Sequence, residues 1–147
     1  MQNETYNNIG IGITSIGFVM NIMKSLSLDK VFLIIPFFTH QELLAYLSRS
    51  NNDIRSIEQV ISHKINCFSN FSKRYFDNLV LTINSIQYLF DMEYVVVKDG
   101  NLILIKHLDF DKKMGNRAEK IYKAANNVAK LLEENSSNLY LNLKVEI

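Results

Sequence analysis

Apolar residues open this chain at helical period: Ile9, Ile13, Ile16, Met20 and Met23 recur at steps of three or four and predict a helix from about Asn7 to Leu26. Gly10, Gly12, Ser15, Gly17 and Asn21 interrupt the run, so it is shorter on oil than the roughly 20 uninterrupted apolar residues a membrane span needs. The front end Met1-Gln2-Asn3-Glu4 also lacks the basic residues of a signal peptide. A buried helix of a soluble protein is expected, with small residues that admit a second backbone at close range. Ser27-Leu28-Asp29 reads as a break. Val31 to Ile35 is a short buried strand or a helical turn, ended by Pro36. Thr39 is placed as the N-cap of a helix through Leu47, with Glu42 completing a capping box.

Past the polar loop Ser48–Asp53, Ile54, Ile57, Val60, Ile61 and Ile65 predict one apolar helix face, with Asp53 as its cap. Phe68 to Phe76 is a further helical piece, broken near Asp77-Asn78. The next helix reaches about Phe90, either continuous with it or restarted at Thr82, with Ile83, Ile86, Leu89 and Phe90 inward. Tyr94–Lys98 and Asn101–Lys106 flank Asp99-Gly100, a dipeptide suited to the positive φ angles of a type I′ turn, and predict a β-hairpin. Lys112 to Glu134 is a long amphipathic helix whose apolar stripe runs from Met114 through Ala118, Ile121, Tyr122, Ala125 and Ala129 to Leu132. The tail from Ser136 holds Leu139, Tyr140, Leu143 and Val145, apolar enough to dock on the body or on a partner.

The fold expected is mainly α with a small β-hairpin, a winged-helix-like single domain over residues 1–147. N-terminal helices occupy 1–53, a helix–helix–helix–hairpin segment of winged-helix order occupies 54–106, and the C-terminal helix and tail occupy 107–147. Cys67 is the only cysteine, which excludes an internal disulfide and fits a reducing, cytoplasmic setting.

Net charge is +1 but unevenly spread. Arg49 to Tyr75 carries five basic against two acidic residues, and Lys106 to Lys130 seven against three. Lys73, Arg74, Lys120 and Lys123 are therefore candidate phosphate contacts, each adding to a salt-sensitive affinity. Catalytic patterns are missing. His40, His63 and His107 lack ligand spacing, so no metal is expected. Gly10-Ile11-Gly12 has no third glycine, no lysine and no preceding strand, so no nucleotide cofactor or small-molecule substrate is expected either. Asp109 and Asp111 read as a helix-start signal. The helix before the hairpin offers Asn84, Ser85, Gln87 and Tyr88 outward with no Arg or Lys, a poor reader of DNA.

Asn7-Asn8-Ile9-Gly10, the small-residue-rich helix behind it, and the apolar run into Pro36 followed by His40 and a leucine helix resemble the middle component of three-component ABC systems of the Lamassu antiphage type. Gln41 and Glu42 stand where that family often has a basic residue. The resemblance implies a non-catalytic accessory subunit between an SMC-like ABC ATPase and an effector, often a nuclease, with ATP chemistry left to the partner. It also implies partner contacts at Asn7, Asn8, Gly10, Gly12, Pro36 and His40, with no more than a weak DNA contact inside the complex. The rival expectation is a homodimeric winged-helix DNA-binding regulator that dimerises through Lys112–Glu134.

Overall fold

The computed structural model describes the backbone of residues 2–147 and the side chains from Asn8 onward. The N-terminal half comprises α1 (Gln2–Met23), β1 (Ser25–Ser27), α2 (Leu28–Val31), α3 (Ile34–Phe38), α4 (Gln41–Leu47), α5 (Ile57–His63), α6 (Ile65–Phe68) and α7 (Phe71–Asp77). There follow α8 (Leu79–Asp91), β2 (Val95–Lys98), β3 (Asn101–Leu104), a 3₁₀ turn at Lys112–Met114, α9 (Asn116–Leu131) and α10 (Ser136–Leu143). The protein is thus mostly helical, with one small antiparallel sheet.

Helix α1 is the axis. Residues 15 to 20 are all buried, because α3, α8 and α9 pack on it from different sides. A helix covered all round has no need of a polar face, which is why its sequence reads nearly as oily as a membrane span. Its small residues are used where neighbours come closest. A Cβ on Gly12 would lie 1.9 Å from Ser85 Oγ of α8, and one on Gly17 would lie 2.4 Å from Leu108 Cδ2. One turn after Gly17, the Asn21 amide donates to Leu108 O at 2.8 Å and accepts from Leu108 N at 2.9 Å. Both backbone groups of Leu108 are thereby satisfied, and the segment after the hairpin is strapped across α1.

The hairpin forms as its turn residues dictate, with Asp99 at φ 54° and Gly100 at φ 77°. Its sheet has a third strand, Ser25–Ser27, where the sequence predicts the end of the first helix and the start of a break. Lys24 adopts φ 67°, reversing the chain out of α1, and Ser25–Ser27 then pairs antiparallel with Asn101–Ile103. The order is β1–β3–β2, with Leu26 and Leu102 buried opposite each other. The hairpin is therefore built onto the N-terminal helix as much as onto α8.

Other elements correct the reading locally. Val31–Ile35 is no strand: Val31 ends α2, Phe32-Leu33 make a turn, and Ile34-Ile35 open α3, of which Pro36 is the third residue rather than the terminator. An amide there has no partner four residues back, so the ring removes nothing. His40, not Thr39, caps α4, its Nδ1 accepting from Leu43 N at 3.2 Å. Ser56, not Asp53, caps α5 by accepting from Gln59 N at 3.1 Å, while Gln59 Oε1 accepts from Arg55 N at 2.6 Å. The apolar face read from Ile54 breaks at Lys64, and Ile65 ends up exposed.

Helix α8 begins at Leu79, separated from α7 at Asn78 as the break near Asp77-Asn78 predicts. It is rotated relative to expectation: Thr82, Ser85 and Leu89 are buried, whereas Ile83 and Phe90 face solvent. The physical reason is the close crossing with α1, where side chains of Ser size fit and Ile does not. The cost is local, since Ser15 Oγ and Ser85 Oγ are buried without a hydrogen-bond partner.

Helix α9 opens after Gly115 at φ 101°, and Ala118, Ile121, Ala125, Ala129 and Leu132 of the expected stripe are buried. Met114 and Tyr122 remain about half exposed. The tail docks on the body: Leu139, Leu143 and Val145 are buried, and the Tyr140 hydroxyl lies 3.2 Å from that of Tyr75 and donates to Asp29 O at 2.5 Å.

Candidate functional site: an apolar helix face and a basic seam

The outward face of α8 is the most unusual surface of the molecule. Val80, Ile83, Gln87 and Phe90 fall within one arc of the helix by their spacing of three and four residues. Val80 is 69% exposed, Ile83 55% and Phe90 49%. Phe76, near the end of α7, is also exposed. Helix α8 contains no Lys or Arg, and its only charge is Asp91. Clustered exposed apolar side chains on a helix without cations are the pattern of protein-binding surfaces, whereas isolated ones carry no such meaning.

Beside this face lies an open groove of about 620 Å³ between α1, α8 and the start of α9. Gly10, Ile13, Tyr88, Met92, Tyr94 and Met114 are among its lining residues. Met92 and Met114 are half exposed there, and methionine adapts its shape to an incoming surface. Tyr88 and Met92 enter this groove from the other side of α8, separated from Val80, Ile83 and Phe90 by Asn84 and by Gln87, which donates to Asp91 at 2.8 Å.

The residues expected at the partner contact are not brought together. The side chain of Asn7 lies outside the described residues. Asn8 and Gly10 are exposed, and Gly10 has open space where a Cβ would stand. Gly12 is buried against Ser85. Pro36 is buried within α3, its carbonyl accepting from Arg74 Nε at 3.1 Å. His40 is half-buried at its cap. Burial and then the neighbouring Arg74 charge favour the neutral imidazole and lower the His40 pKa, with the Glu42 charge opposing.

The candidate phosphate contacts also separate. Arg74 is built into the core edge, donating to Pro36 O and to Cys67 O at 3.0 Å while its guanidinium lies over the Phe71 ring. Lys73 pairs with Asp77 one turn on, at 2.7 Å. Lys120 and Lys123 face outward from α9, where Lys120 lines a notch with Thr39, Gln41 and Arg117. Lys123 lines a second notch with Arg49 and His107. Arg49 and Arg117 were not singled out from the sequence; the folded proximity of the 48–51 loop and α4 to α9 makes them neighbours of the lysines.

Among the described residues no group of three or more His, Cys, Asp or Glu could hold a metal ion. No helix there is long and apolar enough to cross a membrane. Cys67 is buried, and burial raises its pKa, so it is held as a neutral thiol rather than as a nucleophile. Asp111 accepts from Lys113 N at 2.9 Å and caps the 3₁₀ turn, the start-signal role its position suggested.

No curated protein and no solved structure matches the chain. A family model does match it, over residues 16–147. Pro36 and His40 lie inside that span, and Asn7 to Gly12 precede it. The match takes in every packed element except the first turns of α1, and the chain belongs to the family of the ABC-three component (ABC-3C) system Middle Component 3.

Proposed function

We propose that this middle component is a non-catalytic adaptor that joins an SMC-like ABC ATPase to an effector such as a nuclease, in a Lamassu-type defence complex, and that it docks on a partner subunit through the outward face of α8 and the adjoining groove. The observation that carries this reading is the chemistry of that face. Val80, Ile83 and Phe90 stand where a DNA-reading helix would present cations and amides. A stable interface needs a desolvated apolar centre, which this region supplies and which a phosphate backbone cannot use.

The winged-helix reading is supported by the strand order, provided that its frame starts at α1. In that frame α1 is the first helix, β1 closes the free edge of the hairpin, and α8 is the helix before the wing. Such a helix then serves protein docking. The regulator reading requires α9 as a dimer seam, but the apolar stripe of α9 is already covered by α1 and α4 within one chain.

The test is co-expression with the ABC ATPase and third component encoded alongside, followed by tagged purification and mass determination. A stoichiometric assembly is expected from wild type. V80E/I83E should fold as wild type and lose its partner. Retention of every partner by V80E/I83E would reject α8 as the docking face, and absence of any assembly from wild type would reject the adaptor role.

A further inference from the structure

A second surface has the opposite chemistry. On α9, Arg117, Lys120 and Lys123 follow one another at intervals of three residues, about 4.5 Å of rise each. Lys120 and Arg117 line a notch of about 470 Å³ with Thr39, Gln41 and Asn116. Lys123 lines a larger open notch of about 910 Å³ with Arg49, Ser50, Asn51, Asn126 and His107. Lys24 Nζ lies 2.5 Å from His107 Nε2 and adds a cation at the far rim.

Five cations thus follow one path from the start of α4, along α9, to the end of α1. No Asp or Glu lines either notch. The one carboxylate on α9 is Glu119, 3.7 Å from Lys123 in an exposed pair, which solvent renders weak. Arg49, Arg117, Lys120 and Lys24 have no carboxylate partner among the described residues.

We propose that this seam is a contact for the sugar–phosphate backbone of nucleic acid. Side-chain hydroxyls and amides interleaved with Arg and Lys are the donors that phosphate and sugar oxygens accept from. Flanking the cations, α9 offers Asn116 and Asn126 as donors, and the half-exposed Tyr122 ring beside Lys123 is a face of the kind on which sugars and bases pack. Val80, Ile83 and Phe90 of α8 line neither notch, so one chain can engage a protein partner on that face and a nucleic acid on the seam simultaneously. The inference does not depend on the identity of that partner.

The experiment uses the purified full chain and a labelled 20-base-pair duplex of arbitrary sequence, with anisotropy read across salt concentrations. Neutralising five phosphates predicts a slope of log K against log salt of about −4.5. R117Q/K120Q/K123Q should flatten that slope by about 2.7. R117K/K120R/K123R should restore it, and K73Q, on another face, should leave it unchanged. Matched circular dichroism and melting curves of the variants separate lost contact from lost fold. Failure of wild type to bind duplex at about 50 mM salt, where such contacts are strong, would overturn the proposal. So would an unchanged slope in the triple glutamine variant. Tighter binding of a polyglutamate peptide than of duplex at equal charge would overturn it in favour of an acidic protein surface.

Discussion

Gly12 and Gly10 sit two residues apart on one helix and answer opposite physical demands. Alanine at Gly12 would drive a methyl into Ser85, whose Cβ is only 3.1 Å from the new atom, so the α1–α8 crossing must open. We expect G12A to lose about 1–3 kcal/mol by overpacking, measured by urea unfolding. G10A meets open space and should gain about 0.5–1 kcal/mol from helix propensity. A G10A protein that is more stable yet assembles poorly would assign Gly10 to a partner contact, and unchanged assembly would remove it from the candidates. The Asn21 clamp is a third residue-scale test. N21L should lose about 2 kcal/mol, roughly 1 for each hydrogen bond to Leu108. His40 gives a pH signature. Its pKa is lowered on folding below the ordinary 6.5, so its contribution is complete above that value. It is lost as pH falls, because the unfolded chain takes up the proton first. H40N keeps a cap acceptor without titrating, and its melting temperature should fall less than that of wild type between about pH 7 and pH 5.

At the scale of elements, the hairpin was legible because Asp99-Gly100 can adopt only a few turns and β-branched residues flank it. The long C-terminal helix was legible because Ala118, Ile121, Ala125, Ala129 and Leu132 keep period over several turns. β1 was not, since Ser25–Ser27 is too short to show alternation and its pairing partner lies more than seventy residues away. The rotation of α8 was misread for a related reason: periodicity ranks Ile83 above Ser85 for burial, but the Gly12 surface opposite admits only a small side chain. That inversion is also what leaves Val80, Ile83 and Phe90 outside. The proposed docking face was therefore hidden from sequence reading by the same packing rule that creates it. S85A tests the rule from the other side. It removes a buried hydroxyl without a partner and keeps the small volume, so stability should hold or rise, by at most about 1 kcal/mol.

Across the whole molecule, the exposed apolar face of α8 and the α9 seam are separate, since Val80, Ile83 and Phe90 line neither seam notch; Arg117 alone lines both a seam notch and the α8 groove. Independent surfaces predict independent losses. Combining V80E/I83E with R117Q/K120Q/K123Q should give the sum of the two separate effects on partner binding and on duplex binding, within about 0.5 kcal/mol. A coupling well beyond that would mean that one ligand spans both. The basic seam itself was only half visible in the sequence. Lys120 and Lys123 stood out by local charge, whereas Arg49 and Lys24 join them only because α4 and the end of α1 flank α9 in space. Conversely, Arg74 looked like a surface cation and is bound by the carbonyls of Pro36 and Cys67.

The enclosed position of α1 sets an order on synthesis. The ribosome releases this helix well before two of its coverings, since α8 and α9 begin at Leu79 and Asn116. The strand that pairs with β1 ends at Leu104. Until they emerge, α1 has only α3 of its three covering helices to pack against, and contacts of such long sequence separation form slowly. A nascent or truncated chain lacking α9 exposes α1 and invites aggregation. Production of this subunit thus depends on completing the chain, and on chaperone cover until then, more than on the stability of any early-made part.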